Sequence, residues 1–340
     1  MEKKQRTIIL SVVIIIVVVV GITIPIFLNF KSNTIQFNTE KLGKIDTGGN
    51  ARDVYVIDDI AYVVDTTDNN PSGLVIINVS DPTHPNKLGS YYQSGLPISV
   101  DVVGEIAYLA NTLVGLEILN LSNPANPVKI DQYTGSGAAF DVHVIGEIAY
   151  LADWSSGLVI LNVSDPTDVK EITSYGIPGA CIQVYVSKNL VYLIDHYSEF
   201  SGLRIINVSD PYFPVQVGSH IPVGVDFWNP FVYGDYVYIG NHAPEGGELR
   251  VLDVSDPSQI IEVGLYDEGS SVFAAYVNGT VAYLADYQKG LNVVNVSNLS
   301  NPTKIAQFYD GGHAIDVHVI DNIAYVADGN NGLEIIRILI

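Results

Sequence analysis

Short runs of alternating apolar and polar residues follow one another along most of the chain, and each run ends at Gly, Asp, Asn or Pro. One set of runs reads FDVHVIG, EIAYLAD, GLVILNVSDPTD and VKEITSYGIPG, between Phe140 and Gly179. Runs of about four to eight residues that are rich in Val, Ile and Tyr and bounded by turn residues predict β-strands. None of these runs has a helical period, so the set predicts four short strands.

This set of four strands recurs, and a tyrosine in its second strand marks each copy. Successive tyrosines are 42 to 46 residues apart. Strand-rich repeats with a period of about 40–50 residues are typical of β-propellers, in which each repeat forms one four-stranded blade. The sequence therefore predicts an all-β fold, a seven-bladed β-propeller. Its seven blades are marked by Tyr62, Tyr108, Tyr150, Tyr192, Tyr238, Tyr283 and Tyr325.

The two ends of the repeat array are complementary. The last copy stops after its third strand, at GLEIIRILI, whereas FNTEKLGKIDTGG at residues 37–49 matches a fourth-strand segment. We expect an N-terminal strand at residues 37–46 to complete the last blade, because closure removes the two unpaired sheet edges of an open array. The predicted propeller then spans residues 37–340.

An uncharged apolar run precedes the repeats, at residues 7–30. About 20 such residues in a helix span the hydrocarbon core of a bilayer, so the run predicts one transmembrane helix. The basic residues of MEKKQR favour a cytoplasmic stub at residues 1–6, which places a short tether at 31–36 and the propeller outside the cell. The alternative is a cleaved signal peptide, although the run is longer than a signal core and no A-x-A site follows it.

Acidic residues outnumber basic ones by 37 to 16, which gives a net charge of −21. Binding to phosphates needs clustered Lys and Arg, so this balance argues against nucleic acid as a partner. Cys181 is the single cysteine, so an intrachain disulfide and a cysteine-based zinc site are impossible. No motif points to a cofactor or to a metal site.

The motif GLVILNVSDP, with the preceding DVHVIGEIAYLAD, resembles the LVIVD-repeat proteins, a group of surface-associated β-propellers of archaea and bacteria. The resemblance covers about residues 37–340 and implies the fold, but it implies no shared chemistry. This chain departs from the family pattern at the Asp that follows LVIV. That position is Asp253 in one copy, Arg337 in another and Asn in the other five.

Asparagine at this position creates N-x-[ST] acceptors, which predict N-glycosylation on one face of an exported propeller. The alternative is structural, because an Asn that precedes a turn can accept a hydrogen bond from the turn backbone. Two further acceptors lie elsewhere in the repeats. The seven acceptors are Asn78, Asn120, Asn162, Asn207, Asn278, Asn295 and Asn298.

Three loops between second and third strands are longer than the others, at residues 65–73, 195–202 and 241–247. Expanded loops on a rigid ring are a common place for binding sites. Both tryptophans lie near the same face, where aromatic side chains suit sugar rings or protein contacts. The alternative is that the tryptophans cover joints between blades. The candidate ligand face comprises Asp68, Trp154, His196, Tyr197, Trp228 and His242.

Two other polar patterns repeat with the blades. A carboxylate or amide ends each second strand, and a ring of such groups around the channel could attract Ca²⁺, although turn capping explains them without a metal. Histidines share a first-strand position in two copies, with a third nearby, and packing explains them better than metal binding. The residues are Asp65, Asn111, Asp153, Asp195, Asn241, Asp286 and Asp328, with His143, His313 and His318.

Three functions remain open. The first is a membrane-anchored extracellular binding module for a surface protein or glycan. The second is an extracellular hydrolase or lyase with its site at the channel mouth, and the third is a structural scaffold of the cell envelope. No linear motif of a hydrolase, a metalloprotease or a nucleotide site is present, which favours the binding module. A carboxylate and a histidine in one pocket at the mouth would favour the enzyme.

Overall fold

The computed structural model describes residues 12–19, 22–29, 38–67, 72–135, 138–196, 201–241, 247–267 and 269–339. The chain divides into two compact units. Residues 1–37 and Ile340 belong to the first unit, and residues 38–339 form the second.

The described part of the first unit is an antiparallel pair of strands, β1 (Val12–Val19) and β2 (Ile22–Asn29). Both strands lie inside the run 7–30, so the transmembrane helix that the sequence predicts is not supported. The run consists mostly of Val and Ile, whose branching at Cβ favours extended backbone. Among the described residues, none belongs to a helix long and apolar enough to cross a membrane. The expected stub (1–6) and tether (31–36) lie outside the described residues.

The second unit is a seven-bladed β-propeller of four-stranded antiparallel blades, as counted over the described residues between 38 and 339. It begins with β3 (Asn38–Ile45). The first three blades contain β4 (Asn50–Ile57), β5 (Ile60–Thr66), β6 (Ser72–Asn78) and β7 (Asn86–Gln93); β8 (Pro97–Val103), β9 (Ile106–Asn111), β10 (Gly115–Asn120) and β11 (Val128–Tyr133); and β12 (Ala139–Ile145), β13 (Ile148–Asp153), β14 (Gly157–Asn162) and β15 (Lys170–Tyr175).

The next three blades also take their strands in chain order. They contain β16 (Ala180–Ser187), β17 (Leu190–His196), β18 (Gly202–Asn207) and β19 (Val215–His220); β20 (Phe227–Tyr233), β21 (Tyr236–Asn241), β22 (Glu248–Asp253) and β23 (Ile261–Asp267); and β24 (Val272–Asn278), β25 (Val281–Asp286), β26 (Gly290–Asn295) and β27 (Thr303–Phe308). The last blade combines β28 (Asp316–Ile320), β29 (Ile323–Ala327) and β30 (Leu333–Leu339) with β3.

Strand β3 closes the ring, as the sequence predicts. It pairs antiparallel with β30, from Asn38 opposite Leu339 to Ile45 opposite Leu333. From β3, Lys41 Nζ also lies 2.7 Å from Asp310 Oδ2 and 2.7 Å from Oε1 of the buried Glu334. A backbone ladder and an ion pair therefore hold the N-terminal strand in the last blade.

Apolar side chains from adjacent blades form the core, and the second strands show how. The small Ala149 packs in one cluster with Tyr108 of the preceding blade, and Tyr150 packs in another with Val184 of the next blade. Because successive side chains of a strand point to opposite faces, each second strand fills the joints on both sides of its blade. This confirms the pairing of small and large residues that the motif IAYLAD predicts.

Alternating strand direction gives the propeller two faces. The turns after the first and third strands of each blade lie on one face, which we call the NVS face. The turns after the second strands and the connections between blades lie on the other, which we call the loop face. All seven N-x-[ST] asparagines lie on the NVS face, at the ends of first or third strands or in the turn that follows.

The asparagines at the ends of third strands accept a hydrogen bond from the backbone of the turn that follows, as expected if they cap that turn. Ser164 N donates to Asn162 Oδ1 at 2.9 Å, which closes the turn after β14. At four other asparagines the N–H of the second residue after the Asn also donates to Oδ1, which confirms turn capping there. These are Asn78, Asn120, Asn207 and Asn295.

Candidate functional site

The first strand of every blade lines the central channel, and a β-bulge near its start determines which residues face the channel. In β12 the pairing register shifts between Ala139 and Asp141. Six first strands in the described part of the chain show a shift at this place. Because a bulge lets neighbouring residues turn to the same side, Phe140 and Asp141 both line the channel.

Three layers of channel residues follow from this register. In order from the loop face, we call them the mouth layer, the polar layer and the aromatic layer. The mouth layer contains Arg52, Ile98, Phe140, Ile182, Trp228, Phe273 and Ile315. The polar layer contains Asp53, Ser99, Asp141, Gln183, Asn229, Ala274 and Asp316. The aromatic layer contains Tyr55, Asp101, His143, Tyr185, Phe231, Tyr276 and His318.

The mouth layer surrounds a cavity of about 390 Å³ at the loop face, which we call the mouth cavity. An arc of aromatic rings lines it. The ring centroids of Trp228 and Phe273 are 5.2 Å apart, and those of Phe273 and Tyr287 are also 5.2 Å apart. Tyr287 then stacks on His313 with 4.3 Å between centroids. The volume lies within the range of about 300–1,000 Å³ that is usual for ligand pockets.

The structure brings both tryptophans of the candidate ligand face to this cavity. Trp154 packs on Phe140 with 5.0 Å between ring centroids, and Trp228 begins the aromatic arc. Both tryptophans also pack against the core between blades, so they cover joints and line the cavity together. His196 is only 2% exposed and meets the ring of Trp228 edge-on at 5.0 Å. The other candidates, Asp68, Tyr197 and His242, lie outside the described residues.

Carboxylates of the polar layer join neighbouring blades. Asp141 Oδ2 accepts the N–H of Val184 in the next blade at 2.8 Å, and Ser99 Oγ donates to Asp141 Oδ1 at 2.6 Å. Burial raises the pKa of Asp141 to about 6. Burial, together with the charge of Asp316, raises the pKa of Asp53 well above its usual value. Asp53 and Asp316 are hydrogen-bonded to each other, so this pair holds a proton.

Three buried polar atoms beside the mouth cavity have no hydrogen-bond partner among the described residues. They are Asn50 Oδ1, Gln183 Oε1 and Trp228 Nε1. Gln183 is 7% exposed and occupies, in its blade, the place that Asp141 occupies in the preceding one. About 90% or more of buried polar groups in proteins are paired, so an unpaired acceptor that lines a cavity points to a ligand with a donor.

The aromatic layer is a nearly continuous collar. Neighbouring ring centroids are 4.9 to 5.4 Å apart from His143 through the intervening rings to His318 and Tyr55, and Asp101 completes the layer. Burial lowers the pKa of His318 to about 4, and it also lowers the pKa of His143. Both imidazoles are therefore neutral near pH 7 and serve as packing residues. A second cavity of about 390 Å³ adjoins this layer.

The channel carboxylates are not those that the repeat pattern suggests. The polar residues at the ends of the second strands are buried within the blades, and in the described part of the chain three of them cap the turn that follows. Asp153 Oδ1 accepts the N–H of Ser156 at 2.8 Å, and Asn111 and Asp286 make equivalent bonds. Capping is confirmed at these three residues, and the placement of the seven residues around the channel is wrong. The channel instead holds Asp53, Asp101, Asp141 and Asp316, whose signal is an Asp within an apolar first strand, as in RDV, FDV and IDV.

A group of three acidic residues lies outside the channel lining. Carboxylate oxygens of Asp310, Asp328 and Glu334 come within 4.8 Å of one another. Lys41 Nζ lies 2.7 Å from both Asp310 and Glu334. The ammonium group balances the charge that a metal ion would otherwise balance, so we assign this group to ring closure.

Comparison with protein families identifies the repeat. The family model described as the LVIVD repeat matches residues 48–93, 95–135, 136–176, 227–268, 275–310 and 311–338. These segments make up well over half of the chain. No curated protein matches the chain.

Solved structures with the same fold are similar over most of the chain. The WD40 repeats of RRP9 have a TM-score of 0.69 at 9% identity and cover 90% of this chain and 98% of that one. The WD40 domain of coronin from Toxoplasma gondii has a TM-score of 0.66 at 10% identity, with coverage of 89% and 86%. The computationally designed Ika8 protein has a TM-score of 0.61 at 8% identity, with coverage of 87% and 99%. At these identities the similarity shows the fold alone.

Proposed function

The chain belongs to the LVIVD repeat family, and we propose that it is a cell-surface binding module that takes a protein or glycan ligand at the mouth of its central channel. A β-propeller of repeats is a common scaffold for a binding or interaction module, and its fold does not name the ligand. The observation that carries the proposal is the mouth cavity of about 390 Å³, with its arc of half-buried aromatic rings. A concave site that combines aromatic walls with a few convergent polar groups is the usual form of a ligand pocket.

The repeats differ most from one another where they meet at this cavity. Second-strand positions that fill the blade joints vary little, with Ala or Val before a tyrosine in every copy. The mouth layer instead carries a charged residue, aliphatic residues, phenylalanines and a tryptophan at the equivalent place. Partly exposed aromatic side chains are typical of contact surfaces that bury them on binding. These differences support a specific ligand for the mouth.

The surface location rests on the N-terminal sequence. An uncharged apolar run at residues 7–30, preceded by basic residues, supports a membrane anchor with the propeller outside the cell. Glycans on the seven acceptor asparagines would then all project from the NVS face. Capping uses Oδ1 of Asn162 and its equivalents, which leaves Nδ2 for a sugar. The loop face stays open for the ligand.

Protease treatment of intact cells tests this location. We expect digestion of the propeller without lysis, and a lower intact mass of the purified protein after enzymatic deglycosylation. Digestion that requires lysis would contradict the surface location, and an unchanged mass would contradict glycosylation.

The enzymatic alternative has less support. A carboxylate and a histidine do meet beside the mouth, where His196 Nε2 lies 3.2 Å from Asp226 Oδ1. However, His196 is only 2% exposed, and its Nε2 also contacts the carbonyl oxygen of Phe227. His313 lines the mouth cavity together with two channel carboxyls, but its Nδ1 is bonded to the carbonyl oxygen of Tyr287 at 2.9 Å and its ring stacks on that of Tyr287. Both imidazoles are therefore held by packing and by backbone groups.

Variants at the mouth test the binding site. The full chain in detergent micelles is screened on a glycan array and a peptide library, and the tightest ligand is measured again with variants. Phe273→Ala removes one ring of the arc, and we expect affinity to fall at least about tenfold, because aromatic anchors dominate binding energy. Tyr212→Ala is the control, since Tyr212 is 63% exposed on the NVS face, and it should bind like the wild type.

Two results would count against the mouth as the site. One is wild-type affinity in Phe273→Ala, provided that the variant melts as a folded protein. The other is an equal loss in Tyr212→Ala. A full chain that binds nothing in either screen would favour the envelope scaffold.

A further inference from the structure

The channel below its mouth is acidic. Asp53, Asp141 and Asp316 lie in the polar layer, and Asp101 lies in the layer beneath. Among the described residues that line the two cavities, Arg52 is the one Lys or Arg, and it is exposed at the mouth with Nε hydrogen-bonded within its own blade. A narrow cleft lined by one sign of charge concentrates ligands of the opposite sign. The channel therefore favours a cation.

The polar layer also offers hydrogen-bond acceptors in a fixed orientation. Asp141 is held by the N–H groups of Val142 and Val184 and by the hydroxyl of Ser99. Gln183, in the adjacent blade, presents a buried Oε1 without a partner among the described residues. A protonated amine brings three N–H donors and no acceptor, so it fits such a surface. An anion or a carbonyl group has only lone pairs to offer, and the carboxylate oxygens would repel it.

The walls above this layer suit an aliphatic stem. Phe140, Trp228 and Phe273 present partly exposed rings to the cavity, and Ile182 adds a buried aliphatic group. Methylene groups pack on such surfaces, and ring faces attract a nearby cation. A straight alkyl chain reaches from the loop face past these rings to the carboxylates.

We propose that the mouth cavity binds an alkylammonium group, a protonated primary amine on an aliphatic stem. Its nitrogen lies at Asp141 and Gln183, and its stem lies among the rings of the mouth layer. This inference rests on the proposed function and names the chemistry of its ligand. Two sources carry that chemistry, a lysine side chain of a partner protein and a free diamine.

The two tryptophans of the chain provide a direct test. Trp154 and Trp228 are the only tryptophans, and both line the mouth cavity, so tryptophan emission reports on that site. The full chain in detergent micelles is titrated with cadaverine and with a peptide that displays one lysine. The neutral matches are 1,5-pentanediol and the same peptide with norleucine.

We expect a saturable change of emission with the amines and at least tenfold weaker binding of the neutral matches. The tighter of the two amine probes then identifies the source. No response to either amine, or equal responses to charged and neutral probes, would overturn the proposal.

Three variants distinguish a loss of amine affinity at the site from a general loss of stability. Gln183→Leu removes an acceptor without a partner in the described structure, and we expect amine affinity to fall at least fivefold. Asp141→Asn removes the charge with little change of shape, and affinity should fall at least tenfold. Glu117→Gln is the control, because Glu117 is a buried blade carboxylate that lies outside both cavity linings. Unchanged affinity in the first two variants, or an equal loss in the third, contradicts the assignment.

These experiments distinguish failure of the alkylammonium assignment from failure of the proposal that the mouth is the binding site. If the amines fail while the array-selected ligand still depends on Phe273, the alkylammonium assignment is wrong and the mouth remains the binding site. If neither the amines nor any array ligand depends on the mouth, both proposals are wrong.

Discussion

Asp141 and Asp153 belong to the same blade and have different tasks. Asp153 caps the turn between β13 and β14, a role that the short turn WSSG already indicates. Asp141 faces the channel and accepts a hydrogen bond from the next blade, a role that depends on the β-bulge before it. A bulge inserts one residue into a strand without a distinctive side chain, so spacing alone does not reveal it. Turn residues were therefore predictable, whereas the channel carboxylates were not.

The pKa of Asp141 predicts how amine binding depends on pH. Burial raises this pKa to about 6, and an ammonium ion prefers the ionised carboxylate. The titratable groups around Asp141 do not oppose this trend. Burial raises the pKa values of Asp53, Asp101 and Asp316, so none of these carboxyls gains negative charge as the pH falls, and burial lowers the pKa of His143 and keeps the thiol of Cys181 neutral. Affinity should therefore fall below pH 6.

Titrations of tryptophan emission with cadaverine between pH 5 and pH 8 measure this dependence. We expect similar affinity at pH 7 and pH 8, and a fall of up to about tenfold per pH unit below the pKa. An affinity that is constant from pH 5 to pH 8 would exclude Asp141 as the group that holds the ammonium.

Strand β3 shows which elements a repeat can predict. The last copy lacks a fourth strand and the N-terminal segment supplies one, so closure follows from counting strands. The segment 7–30 has no copy elsewhere in the chain, and length and hydropathy predicted a helix there. The described strands β1 and β2 agree instead with the preference of Val and Ile for extended backbone.

Lys41 should matter more to stability than an exposed lysine with an equally close partner. Lys41→Met keeps most of the stem and removes the ammonium group from the buried Glu334, with Lys44 Nζ left at 3.8 Å. We expect a loss of about 1–3 kcal/mol in the free energy of unfolding at pH 8. The loss should be smaller at pH 5, because burial raises the pKa of Glu334 to about 7 and the carboxyl is then protonated.

Urea unfolding of the two lysine variants compares them directly. Lys170→Met is the control, since Lys170 Nζ pairs with Asp168 Oδ2 at 2.5 Å with both side chains exposed. We expect this variant to unfold at nearly the same urea concentration as the wild type, because an exposed ion pair contributes little to stability. Equal costs for the two variants would show that the ion pair of β3 does not hold the ring closed.

Buried carboxyls set the pH dependence of the whole molecule. Burial raises the pKa values of Asp65 and Asp141 to about 6 and that of Glu334 to about 7. Folding thus strengthens proton binding at these groups, so their contribution to stability is greatest at low pH and is lost as the pH rises through about 4 to 7. Buried histidines act in the opposite direction below about pH 6.5, because burial lowers the pKa of His318 to about 4 and also lowers the pKa values of His143 and His220. The carboxyls with raised pKa values outnumber these histidines.

The melting temperature should therefore be higher at pH 6 than at pH 8. Self-repulsion from a net charge of −21 acts in the same direction, because it grows as carboxyls ionise. We expect a difference of at least about 2 °C in calorimetry at constant ionic strength. A melting temperature that is equal or higher at pH 8 would show that these carboxyls are better solvated than the structure indicates.

At the scale of the whole molecule, the repeat predicts the number of blades and the two faces. It does not predict the mouth cavity, because that cavity depends on the positions where the copies differ and on side chains that all seven blades bring together. The position of Trp154 and Trp228 near the face with the expanded loops predicts them as candidates, and the structure adds Phe140, Phe273 and Tyr287 to the same lining.

Protection of the two tryptophans from acrylamide quenching tests the central claim, that the mouth cavity is the binding site. The full chain in detergent micelles is compared without ligand and with a saturating amount of the tightest ligand from the arrays. We predict a marked decrease of quenching on binding, with Trp154→Phe and Trp228→Phe each retaining a protected tryptophan. Unchanged quenching at saturation would place the ligand elsewhere on the propeller.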